Sequence, residues 1–161
     1  MDAAAEPRDV PIFFPWMNGE RSVEWNPDLR PRWHGRKDAH SSAELARGVL
    51  EGVLFNIAQY LEVIERESGI KADEIVLSGN GFRESLAAPL LASLLGRELL
   101  LPDSAGLASL RGAAVTAWRA LGQDVLPALE QVVQQARRVP PVLEPAVMER
   151  FARFKDLRAK G

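Results

Sequence analysis

The stretch from Glu74 to Leu101, EIVLSGNGFRESLAAPLLASLLGRELLL, decides the fold class. It opens with a short β-branched run, Glu74 to Ser78, that stops at Gly79, and it closes with the apolar run Leu99 to Leu101, stopped by Pro102. Between the two, Ser85 stands where a helix N-cap belongs, and Leu86, Leu90, Leu91, Leu94 and Leu95 recur at helical spacing up to Gly96. Pro89 falls in the first turn of that helix, where it is tolerated. Strand, helix and strand in so short a span favour parallel strands joined by a helical crossover, hence an α/β layer rather than a helix bundle.

Outward from this core the pattern stays helical. A helix is expected from about Ala105 to Leu121 with Gly122 at its end, then one capped by Asp124 and running to about Arg138. Pro140 and Pro141 break the chain, and Pro145 opens a last helix containing Val147, Phe151 and Phe154. Upstream, Ser41 and Glu44 form a capping box, after which Leu45, Val49, Val53, Ile57, Leu61 and Ile64 keep a helical stripe until Gly69. Residues 1–40 hold five of the eleven prolines and three of the four tryptophans. They read as an irregular, aromatic-anchored segment with a single short strand, Ile12 to Met17. The expected organisation is one domain: this segment, then the helix-rich α/β portion 41–161. Two strands and five helices leave a sheet with uncovered edges and faces, which predicts either a larger domain or a partner that supplies strands.

Composition bounds the function. The chain has 161 residues, 47% hydrophobic and 26% charged, enough for a sizeable core, which excludes disorder as its main description. A net charge of -2 lacks the basic field of nucleic-acid binders, and residues 1–40 balance six Lys/Arg with seven Asp/Glu. No cysteine is present, so disulfides, thiol chemistry and Cys-ligated metals are excluded, and a reducing, cytoplasmic setting is compatible. Charged residues interrupt every stretch that would need to be apolar for a signal peptide or a spanning helix.

One local arrangement has a clear chemical use. Gly79-Asn80-Gly81-Phe82-Arg83-Glu84-Ser85 lies between a strand and a helix N-terminus. Glycines let the backbone approach a flat or anionic ligand, and the helix start offers unpaired N–H groups. A plain βα turn that needs glycine for its geometry reads the same way. The small residues Ser109, Gly112, Ala113 and Ala117, and Gly48 with Gly52 on the long helix, point to close packing on a neighbour. His34 and His40 are too few for a His-rich metal site. Glu20 and Arg21 read as a loop clamp, and Trp16, Trp25 and Trp33 as anchors or as stacking surfaces for a sugar or base.

The order of these pieces resembles the C-terminal part of the FGGY family of carbohydrate kinases, over roughly Ile12 to Leu157. The resemblance rests on Pro15-Trp16-Met17-Asn18-Gly19-Glu20-Arg21-Ser22, Asn26-Pro27-Asp28 with Trp33-x-Gly35, and Glu44-Leu45-Ala46-Arg47 leading to Leu50-Glu51-Gly52. It continues through Leu77-Ser78-Gly79-Asn80-Gly81 with Ser85, Leu94-Leu95-Gly96, and Ser109-Leu110-Arg111-Gly112-Ala113-Ala114. It implies part of an actin-like, ribonuclease-H-type ATPase fold in which ATP, with Mg²⁺, meets a sugar or sugar acid in a cleft between two domains. It also implies that Gly79, Asn80, Gly81, Glu84 and Ser85 bind the nucleotide.

The family has glycine where Asn80 and Pro31 stand, an aliphatic residue at Arg36, and alanine or serine at Gly48. Its catalytic aspartate and both phosphate-binding loops precede the matching region, so this chain is expected to be inactive alone and to associate with the missing N-terminal portion or with a second copy. Gluconate and xylulose kinases are the branches most similar around Glu20 to Asp28. The alternative is a non-catalytic interaction or regulatory protein that keeps the fold and binds a partner through its open sheet edge.

Overall fold

The computed structural model describes residues 9–82, 86–142 and 144–160. These form two compact units: Met1–Lys71 with Leu143–Gly161, and Ala72–Val142.

In the first unit, β1 (Ile12–Phe14) pairs antiparallel with β2 (Arg32–His34), Ile12 opposite His34 and Phe14 opposite Arg32. The expected strand to Met17 is thus shorter, and β2 is a strand that neither its flanking Pro31 nor its basic residues announce. Helix α1 (Ser42–Ser68) has the expected ends. Ser41 Oγ accepts from Glu44 N at 3.3 Å, the Glu44 carboxylate accepts from Ser41 N at 2.7 Å, and Gly69 closes the helix at φ +67°. Helix α5 (Pro145–Ala159) packs on α1, with Phe151 and Phe154 against Phe55 and with Phe154 stacked on Phe14 at 4.6 Å between ring centres.

The buried face of α1 is not the apolar stripe that the sequence displays. Val49, Val53, Ile57 and Ile64 are 38% to 43% exposed, whereas Gly48, Glu51, Gly52, Leu54, Phe55 and Ala58 are buried. The reason is the approach of β1. A Cβ on Gly48 would lie 2.5 Å from Pro11 O, and one on Gly52 would overlap the carbonyl oxygen of Phe13. The expected close packing at these two glycines is the seat of a strand backbone, and it fixes the helix rotation.

Charge is buried with its partners. Glu51 pairs with Arg150 at 2.7 Å and with Arg47 at 2.6 Å, and Arg47 reaches Glu144 at 2.6 Å. Glu20 is 1% exposed and is the clamp expected of it. Its carboxylate accepts from the backbone N–H of Ser22, Val23, Glu24 and Trp25 and from the Ser22 hydroxyl, and it pairs with Arg158 of α5 at 3.0 Å. Burial pushes its pKa up, but the hydrogen bonds from the Ser22 hydroxyl and these backbone amides overcome burial and hold it at about 2.

In the second unit, α2 (Ala87–Leu95) buries Leu90, Leu91 and Leu94 and ends at Gly96, φ +62°. Its expected cap, Ser85, lies outside the described residues. Strand β3 (Leu99–Leu101) is wholly buried. The run 75–77 lies parallel to it, with Leu77 N donating to Leu100 O at 2.7 Å and Leu100 N to Ile75 O at 2.9 Å. The short parallel sheet is therefore one parallel pair, and β4 (Arg137–Val139) adds an antiparallel edge, Leu99 opposite Val139. Sequence pattern extends the preceding helix to Arg138, but α4 (Leu126–Gln134) ends earlier because residues 137–139 pair with β3. The expected cap is displaced by one residue: Val125 holds the N-cap position of α4 without a side-chain bond, and Asp124 Oδ1, just before it, accepts from Leu126 N at 3.0 Å.

Helix α3 (Ala108–Ala120) buries no residue, and neither does α4. Ser109, Gly112, Ala113 and Ala117 are exposed, so the close packing expected of these small residues is not made among the described residues. Leu107, Leu110, Trp118 and Leu121 fall on one helical face and are half or more exposed. No helix among the described residues is long and apolar enough to cross a membrane.

Candidate functional site

Parallel strands send their following loops out of the same end of the sheet, which is where ligands bind in open α/β layers. Here the first loop follows Leu77 and contains the tight turn Asn80–Phe82, and the second follows β3 and contains the tight turn Ala105–Leu107. The two are tied together: Gly79 N donates to Ala105 O at 2.8 Å. Asn80 lies against Gly106 so closely that a Cβ on Gly106 would overlap the Asn80 carboxamide oxygen. Asn80 therefore turns its side chain onto the neighbouring loop.

The glycines on either side of Asn80 have different causes. Gly79 sits at φ +103°, a conformation that side chains rarely adopt. Gly81 carries no such dihedral, and a Cβ on it would meet nothing within 4 Å. Among the described residues nothing packed around position 81 demands glycine there.

Of the residues expected to bind the nucleotide, Gly79, Asn80 and Gly81 come together in this loop, while Glu84 and Ser85 lie outside the described residues. Sequence reasoning passed over Gly106, Ser104 and Arg111. Arg111 reaches back from α3 to donate to the Ser104 hydroxyl at the second loop, bringing a guanidinium to this end of the sheet. Ser109-Leu110-Arg111-Gly112 is legible as a motif, but its nearness to Gly79 follows only from the pairing of residues 75–77 with β3.

The remaining sequence candidates do not converge. His40 Nδ1 accepts from Lys37 N at 2.8 Å, and His34 contacts Arg153 of α5. Trp16 is buried, Trp33 tilts against Phe13, and Trp25 is 72% exposed at φ +52°. Among the described residues no group of three or more His, Asp or Glu side chains is placed to hold a metal ion.

A family model described as the FGGY family of carbohydrate kinases, C-terminal domain, matches residues 1–121. Xylulose kinase of Escherichia coli K12 is 36% identical over 98 residues, 61% of this chain and 19% of that protein. Gluconokinase of Bacillus subtilis is 27% identical over 137 residues, 84% of this chain and 26% of that protein. Among solved structures, a xyloylose kinase from Brucella ovis superposes with a TM-score of 0.74 at 23% identity, over 98% of this chain and 33% of that one. The chain thus spans 19% to 26% of the length of these two curated relatives.

Proposed function

The chain belongs to the FGGY family of carbohydrate kinases, matching its C-terminal domain, and on that basis we propose that it forms the nucleotide side of an enzyme that moves the ATP γ-phosphate onto a hydroxyl of a sugar or sugar acid. Its fold is part of an actin-like ATPase domain. The observation that carries the proposal is the glycine-rich loop 79–82, set at the carboxyl end of the run 75–77 that lies parallel to β3 and tied to the loop after β3 by Gly79 N donating to Ala105 O.

In this proposal the backbone of Gly79, Asn80 and Gly81 lies against the nucleoside of ATP, with Glu84 and Ser85 completing the contact. Asn80 is compatible with this although the family resemblance calls for glycine there, because its side chain is turned onto Gly106. Arg111 supplies positive charge at the same end of the sheet. Phosphoryl transfer rests on positioning and on stabilising the charge of the transferring group, and Mg²⁺ on the nucleotide phosphates supplies much of that stabilisation when bound.

No residue of this chain matches the family's catalytic aspartate or its phosphate loops, so these belong to the remainder of the enzyme. The exposed apolar face of α3 and the stripe on α1 are the surfaces that remainder would cover. Xylulose or gluconate is the proposed acceptor, after the relatives of those names, and a cytoplasmic location follows from ATP as cosubstrate.

The test is reconstitution. The 161-residue chain, assayed for ADP formation with gluconate, xylulose, ribulose and glycerol, shows no sugar-dependent turnover alone. Mixed with a separately expressed N-terminal portion of a family kinase, it gains activity with one of the sugars. Turnover by the chain alone at ordinary kinase rates, on the order of 1–100 per second, overturns the division of labour. A mixture that neither associates nor consumes ATP overturns the proposal itself.

A further inference from the structure

The unit formed by Met1–Lys71 and Leu143–Gly161 carries a cavity of about 220 Å³ between the start of β1, the end of β2 and α5. Lys37, Arg150, Arg153 and His34 line it, and Asp9 is the one carboxylate among the described residues of its lining.

Each cation there has a different status. Arg150 is buried and is fixed by its two hydrogen bonds to Glu51, so it forms a wall that cannot swing away. Lys37 pairs with Asp9 at 3.0 Å, and both side chains are more than 60% exposed, so this pair exchanges readily with an anion from solution. Arg153 is exposed and meets no carboxylate among the described residues; it donates to His34 Nε2 at 3.0 Å. A guanidinium has no acceptor, so Arg153 is the donor in this contact. The contact therefore holds the Arg153 guanidinium at the cavity without neutralising it.

We propose that this cavity binds the dianion of a phosphomonoester or of inorganic phosphate. The phosphoryl oxygens take the place of the Asp9 carboxylate on Lys37 and accept from Arg153, whose planar fork of donors suits a phosphate. Asp9 is then a built-in competitor at the mouth of the site. The inference stands on a different unit from the nucleotide loops, and it holds or fails independently of the kinase assignment.

Titration calorimetry on the 161-residue chain tests it, with inorganic phosphate in one arm and a sugar phosphate in the other. Saturable binding is expected. Equal affinity in the two arms identifies a phosphate site, and tighter binding of the sugar phosphate identifies a phosphomonoester site. Arg153→Ala, at an exposed position that the fold tolerates, weakens binding by about tenfold or more, the scale of a lost charge-assisted hydrogen bond. Asp9→Asn tightens it by removing the competing carboxylate. Lys155→Ala, on the same helix but paired with Glu62 and outside the cavity lining, leaves it unchanged. Absence of saturable binding, or equal affinity in wild type and a folded Arg153→Ala chain, overturns the proposal.

Discussion

Arg150 grips Glu51 across 99 residues of chain, Nε donating to Oε2 and Nη2 to Oε1, each at 2.7 Å. Glu51 is 2% exposed, and Arg47 adds a third charge-assisted bond to Oε1 at 2.6 Å. The pair joins α5 to α1 within one compact unit. Taking two charges out of water is costly, and only this bidentate geometry with its third partner offsets it.

Glu51→Gln leaves Arg150 buried beside a neutral amide. Urea unfolding should lose about 3–5 kcal/mol, the cost of breaking a buried pair by removing one partner. The double replacement Glu51→Leu with Arg150→Met should recover part of that loss. A single-variant loss no larger than that of an exposed ion pair, about 1 kcal/mol or less, would contradict the pairing.

Two glycines in helices should respond to alanine with opposite signs. At Gly112 a Cβ meets nothing within 4 Å, so Gly112→Ala should stabilise by about 0.5–1 kcal/mol through helix propensity. At Gly52 the same atom overlaps Phe13 O, and the shift that it forces on β1 should outweigh propensity, for a net loss of about 1–3 kcal/mol. Thermal or urea unfolding of the two variants side by side decides the matter.

Acid should act through Glu20. Its pKa is about 2 in the folded chain against 4.5 for the free side chain, so the unfolded state binds the proton more tightly. The stabilisation is fully present above about pH 4.5 and is lost as pH falls toward 2; its ceiling is about 3 kcal/mol. Glu20→Gln should flatten the dependence of stability on pH over that window. An unchanged slope would mean that the carboxylate is not held by its loop amides.

Gly81→Val tests the nucleotide loop in the reconstituted enzyme. A Cβ at 81 meets no described residue within 4 Å, so stability should change little, while the side chain fills the space proposed for the nucleoside. KM for ATP should rise about tenfold or more, with the sugar KM unchanged, since a factor of ten needs only about 1.4 kcal/mol of lost contact. Unchanged nucleotide kinetics in a folded variant would remove Gly81 from the site.

Local signals were legible without coordinates because their hydrogen bonds close over three or four residues. Ser41 and Glu44 satisfy each other's backbone and Gly69 takes the left-handed turn, so both ends of α1 were readable; Leu99 to Leu101, bounded by Gly96 and Pro102, was readable as a strand. The family motifs were equally open, being runs of consecutive residues.

Which face of α1 is buried, that Arg32–His34 and Arg137–Val139 are strands, and that Gly106 lies against Asn80 were decided only in three dimensions. Hydrophobic periodicity counts side chains, but α1 is oriented by the backbone of β1 lying on Gly48 and Gly52, an approach that leaves no apolar signature. A three-residue strand is made by its partner's N–H and C=O groups rather than by its own side chains. The sequence by itself determined both ends of α1, the Gly96 end of α2 and the strand Leu99–Leu101 of this kinase-family chain, because those signals rest on neighbours along the chain. The rotation of the elements, their pairing and the two loops they bring together were set by contacts between distant backbones, whose hydrogen-bonding groups are the same at every residue and so carry no mark in the sequence.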